Sequence, residues 1–168
     1  SRREVDLVGA REAYDAALSF YRGIGLQLGE ANTLRSLGDL ALREADLVGA
    51  REAYEAALPL FRAIGDRQGE ASTLFSLGDL ARQEVDLVGA REAYEAALLL
   101  FRAIGDQLGE ASTLKGLGDL SRREVDLVGA REAYDAALAL FRAIGDLPGE
   151  ANSLVSLGDL MQREADLA

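Results

Sequence analysis

Forty residues recur four times without a gap. The segments Leu7–Asp46, Leu47–Asp86, Leu87–Asp126 and Leu127–Asp166 each open Leu-Val-Gly-Ala-Arg-Glu-Ala-Tyr, and each carries Ser-Leu-Gly-Asp-Leu or Gly-Leu-Gly-Asp-Leu in its second half. A fixed period of this length means that every unit is one small supersecondary element whose apolar face is covered by its neighbours, so the core is shared along an array. The whole chain, 1–168, is therefore expected to be one array, with residues 1–6 as the tail of a preceding helix. The same symmetry argues against catalysis. An active site needs unlike residues converging once, whereas here every carboxylate and hydroxyl returns at a fixed interval. No enzyme is expected.

Composition narrows the function further. The chain has no cysteine and no histidine, which removes disulfides, thiolate zinc sites, imidazole ligands and histidine bases together. No metal or cofactor is expected. A formal charge of −11 opposes binding to nucleic acid or to an anionic membrane, both of which are held chiefly by Lys and Arg. The longest apolar stretches, such as Ala96–Phe101, fall far short of a membrane span, and no charged-then-apolar leader opens the chain. A cytoplasmic location is expected. Lys115 is the single lysine, and Ser1–Val8 matches Ser121–Val128 in full. The chain thus opens in mid-repeat, as an excised fragment or a designed array would.

Within one period the apolar residues Leu127, Ala130, Tyr134, Ala137, Leu138, Phe141 and Ile144 recur at three and four, which is helical spacing. Asp126 is a candidate N-cap and Gly145 a candidate C′ residue, bounding a helix B of about Leu127–Ile144. A second stripe, Ala111, Leu114, Leu117, Gly118 and Ser121, marks a helix A of about Gln107–Glu124, capped by Asp106. Links of a few residues make these helices antiparallel neighbours. Gly118 and its equivalents Gly38, Gly78 and Gly158 sit inside helix A, where glycine costs about 1 kcal/mol against alanine, so a close helix approach is expected there. Pro59, deep in a helix B, predicts a kink or an early end. Pro148 lies in a first turn, where a missing N–H costs little.

Leu114-x-x-Leu117-Gly118 followed by Ala130-x-x-x-Tyr134 and Ala137 closely resembles the tetratricopeptide signature. The resemblance returns in register at Leu34/Leu37/Gly38, Leu74/Leu77/Gly78 and Leu154/Leu157/Gly158, and so covers essentially the whole chain. Two features depart from it. The aromatic residue three positions after the glycine is replaced by Ala41, Ala81, Ser121 and Met161, and helix B runs on about six residues to Ile-Gly without the usual proline. Such lengthened units look like the arrays of bacterial multidomain regulators and of Pins-type adaptors. The resemblance implies an all-α, right-handed superhelical solenoid of antiparallel helix pairs, with helices of about 16–18 residues. It also implies a concave face, lined by helix A, that binds peptides or proteins.

The columns that vary between repeats fall mainly on helix A. One runs Arg35, Phe75, Lys115, Val155; two milder ones are Leu42, Arg82, Arg122, Gln162 and Asn32, Ser72, Ser112, Asn152. Constant Asp39, Asp79, Asp119 and Asp159 are expected on the same face, as are Arg43, Gln83, Arg123 and Arg163 four residues later. Asp and Arg at that spacing also form ordinary helix-surface pairs. Arg142 and its equivalents are expected to serve the dipole at the end of helix B. The resemblance makes all twenty column residues candidate groove positions. Tetratricopeptide domains that grip chaperone C-termini use Asn where this chain has its constant Asp, so the expected ligand is a basic or mixed apolar and basic peptide. The alternative expectation is self-assembly: the chain opens on a helix B and closes on a helix A, and neither end carries a polar cap, so the two ends are complementary for head-to-tail stacking.

Overall fold

A computed structural model describes residues 2–167, with side chains for 6–167. Among the described residues there are eight α-helices and no strand: α1 (Arg2–Ile24), α2 (Gln27–Arg43), α3 (Leu47–Ile64), α4 (Arg67–Gln83), α5 (Leu87–Ile104), α6 (Gln107–Arg123), α7 (Leu127–Ile144) and α8 (Leu147–Leu167). The fold is all-α. Odd-numbered helices are the B type and even-numbered ones the A type. No helix among the described residues is long and apolar enough to cross a membrane.

The caps explain the boundaries. Asp46, Asp86 and Asp126 each accept a hydrogen bond from the backbone N–H three residues on, at Gly49, Gly89 and Gly129, and so start α3, α5 and α7. Each of those helices ends on a left-handed glycine, with φ of 72°, 73° and 75° at Gly65, Gly105 and Gly145. Asp106 caps α6 through Gly109. The first B-to-A link has Leu26 in the aspartate's place and no side-chain cap. Glu124 is the C-cap of α6 and not its last helical residue.

Two expectations fail. Residues 2–6 continue α1 without a turn and do not form a separate helical tail. Of the kink or early end expected at Pro59, the early end does not occur: α3 runs through it for 18 residues, the same length as α5 and α7. Pro59 and Glu55 are both exposed, so the carbonyl that loses its N–H donor faces water, and solvent satisfies it.

The chain divides into two compact units, Ser1–Leu80 and Ala81–Ala168. In the first, Leu18, Ala31, Leu34, Leu37, Ala57 and Phe61 form the core, with Tyr14, Ala53 and Leu60 packed against them. In the second, Ala130, Tyr134, Leu138, Leu157 and Leu160 do so with Leu127. The helix A glycines are where helix B enters. A Cβ on Gly38 would lie 2.5 Å from the ring of Tyr54, and one on Gly118 would lie 2.6 Å from that of Tyr134. Both tyrosines are fully buried. At the following junction Phe61, Phe101 and Phe141 lie against Gly69, Gly109 and Gly149 in the same way. Each hairpin is thus closed by an aromatic ring laid on a bare stretch of helix, which is the return on the propensity cost of the glycine.

Candidate functional site

In α2, α4 and α6, helix A packs through Leu34, Leu37, Leu40 and their equivalents, and in α8 through Leu157 and Leu160; the candidate columns lie on the remaining surface. In the first unit Asn32, Asp39 and Arg43 are exposed, and Arg35, Leu42, Ser72, Phe75 and Asp79 are half-buried. In the second, Gln83, Arg123, Asn152, Val155, Asp159 and Gln162 are exposed, and Arg82, Ser112, Lys115, Asp119, Arg122 and Arg163 are half-buried. None of the twenty belongs to the buried core.

Two of the constant aspartates, Asp39 and Asp119, have structural partners that the helix-surface reading missed. The hydroxyl of Tyr54 donates to Asp39 Oδ1 at 2.6 Å, and that of Tyr134 donates to Asp119 Oδ1 at 2.7 Å. Lys115 Nζ also donates to Asp119, at 3.2 Å. Burial first, then the bond to Asp119, pushes the Tyr134 hydroxyl up to about 12; burial and Asp39 raise that of Tyr54 in the same direction. The arginines four residues after the aspartates turn elsewhere. Arg123 Nη1 donates to the Arg82 carbonyl and Arg163 Nη1 to the Arg122 carbonyl, both at 3.1 Å. They add a second donor to carbonyl groups in the last turn of the preceding helix A, which also accept from Val85 and Val125 N–H at 3.3 and 3.4 Å.

Two ladders of ion pairs join each helix B to the next helix A. Arg22, Arg62, Arg102 and Arg142 donate through Nε to Glu30, Glu70, Glu110 and Glu150 at 2.7–2.8 Å. Arg142 is therefore a cross-helix partner as well as a residue of the last turn. Arg11 pairs with Glu44, Arg91 with Glu124 and Arg131 with Glu164. All are half-exposed, which limits each to about 0–1 kcal/mol.

A cationic cluster distinguishes the second unit. Arg82 Nε donates to the Tyr94 hydroxyl at 3.3 Å, Arg122 stands beside the Tyr134 hydroxyl, and Lys115 lies one turn before Asp119. The Nε atoms of Arg122, and of Arg35 in the first unit, are buried without a protein partner.

These observations define a helical-repeat protein of the all-α class. No family model matches the chain, and no curated protein matches it. Among solved structures, the chain is similar in fold to the crystal structure of BtubC (BKLC) from P. vanneervenii, with a TM-score of 0.77 at 23% sequence identity, over 98% of this chain and 71% of that one.

Proposed function

We propose that the chain is a non-catalytic binding scaffold of the tetratricopeptide type, taking a peptide or protein segment on its helix A faces. The signature leucines and glycine of each helix A, the tyrosine and alanines of each helix B and the ring-on-glycine closure support the repeat type. The observation that carries the binding reading is the charge of the second unit's helix A face. Arg82, Lys115, Arg122, Arg123 and Arg163 stand there against Asp119 and Asp159, an excess of three positive charges on a chain of net −11. Asp119 is already engaged by Tyr134 and Lys115. This face favours a segment bearing carboxylates, in place of the basic or mixed apolar and basic one expected from the constant aspartates.

A peptide array probed with the 168-residue chain tests this. Acidic segments should dominate the binders, and Lys115→Glu should weaken them about tenfold, or 1.4 kcal/mol. The Lys115–Asp119 pair is one turn apart and half-exposed, so its loss leaves the fold intact. An array yielding only basic binders would refute the sign of the ligand, and an array with none would refute the scaffold.

A further inference from the structure

On the scaffold reading above, we infer that the helix A face of the second unit recognises a phosphate monoester carried on the segment it binds, held by Arg82, Lys115 and Arg122. The third repeat departs from the others at two adjacent positions of α6. It has Lys115 and Gly116, where the equivalent pairs are Arg35 and Ser36, Phe75 and Ser76, and Val155 and Ser156. Arg82 and Arg122 mark a second departure, since Leu42 and Gln162 hold their place in the first and fourth repeats.

A single run of contacts joins these residues. A Cβ on Gly116 would lie 2.9 Å from Cζ of Tyr94, so the tyrosine ring lies where a serine side chain would stand. Its hydroxyl accepts from Arg82 Nε at 3.3 Å. Next to Gly116, Lys115 Nζ donates to Asp119 at 3.2 Å, Asp119 accepts from the Tyr134 hydroxyl at 2.7 Å, and Arg122 stands beside that hydroxyl. Each arginine thus stands against the hydroxyl of the tyrosine twelve residues on. Such anchoring removes part of the rotamer entropy that an arginine otherwise loses on gripping an anion. All three cations are half-buried, and so still reach solvent.

Charge and an unmet donor select the ligand. Three cations to one carboxylate, Asp119, leave a surplus of two positive charges, and Asp119 is already engaged twice. A phosphate monoester carries about −1.5 to −2 at pH 7 and offers three acceptor oxygens, which match this surplus better than the single charge and two oxygens of a carboxylate. Arg122 Nε is buried without a protein partner, a costly state for a charged donor, and a hydrogen bond to phosphate satisfies it. Arg35 in the first unit has the same unmet Nε, but Leu42 stands where a second arginine would join it.

Fluorescence polarisation with labelled degenerate peptide pools, each with phosphoserine, aspartate or serine fixed at the centre, tests the proposal on the 168-residue chain. The phosphoserine pool should bind about tenfold more tightly than the aspartate pool, and the serine pool most weakly. The double variant Arg82→Leu, Arg122→Leu should keep its helical content, because Leu42 fills the same place in α2, and should bind the phosphoserine and aspartate pools equally. Equal binding of those two pools by wild type would overturn the inference and leave the scaffold standing; binding of no pool would overturn both. A preference that survives in the double variant would refute the assignment to these arginines. So would displacement of the phosphoserine pool by inorganic phosphate as readily as by the unlabelled pool, because the ligand would then be the free ion.

Discussion

Gly118 and Gly158 occupy the same position in successive A helices, yet alanine should have opposite effects at the two. At Gly158 the added methyl meets nothing within 4 Å, so only helix propensity changes, and Gly158→Ala should stabilise by about 1 kcal/mol. At Gly118 the propensity gain is the same, but the new Cβ would lie 2.6 Å from Cε1 of Tyr134. That ring is fully buried and tethered through its hydroxyl to Asp119 at 2.7 Å. Moving it means overpacking, at about 1–3 kcal/mol, together with weakening a buried hydrogen bond to a charged group worth about 1.5–3 kcal/mol. After subtracting the propensity gain, Gly118→Ala should destabilise by about 3 kcal/mol. For a chain of this size each kcal/mol moves the midpoint by about 2–4 °C. Thermal melts followed by circular dichroism at low protein concentration should therefore place the two variants on opposite sides of wild type. Equal shifts of the same sign would refute the ring-on-glycine account.

Pro59→Ala should raise stability by about 2 kcal/mol, the interior-helix cost of proline less its restriction of the unfolded chain; an unchanged or lower melting midpoint would show that the solvent-facing carbonyl bears no such cost. Alkaline titration probes the tyrosines. The folded Tyr134 hydroxyl is pushed from 10.0 to about 12, so its stabilising effect is fully present below pH 10 and is lost as the pH rises towards about 12. Tyrosinate absorbance should rise together with loss of helix in that window, and full ionisation by pH 10 with the helices intact would contradict the buried Tyr–Asp contact.

The local signals were readable and the distant ones were not. Helix B was bounded at Leu127 and Ile144 because Asp126 and Gly145 act through their own backbone neighbours. The close approach at Gly118 was legible because only a packing reason keeps glycine in a helix interior. The partner of Asp119 was not, because the Arg one turn on in its own helix looks like sufficient company, and nothing in a single helix shows that the next one delivers a hydroxyl. Arg142 was assigned to its own helix end for the same reason, although Glu150 lies just across the turn. Pro59 does not end its helix because the carbonyl left without a donor belongs to an exposed turn, a context that the sequence around the proline does not display.

The turn from helix A to helix B has a consequence for how the hairpins open. Ala45, Val85 and Val125 stand there at φ of 61–64°, a conformation costing an ordinary residue about 1–2 kcal/mol and especially poor for a β-branched one. The same Glu-Val-Asp lies inside an unbroken helix at residues 4–6, and Glu-Ala-Asp does so at 164–166. The bend is therefore imposed by the packing of the two helices and not written into the tripeptide. Strain of this kind makes the link a loaded hinge: it is held bent only while the two helices stay packed, so loosening a hairpin releases it. Replacing Val125 with a residue at ease in the left-handed region would unload that hinge without touching the packed faces.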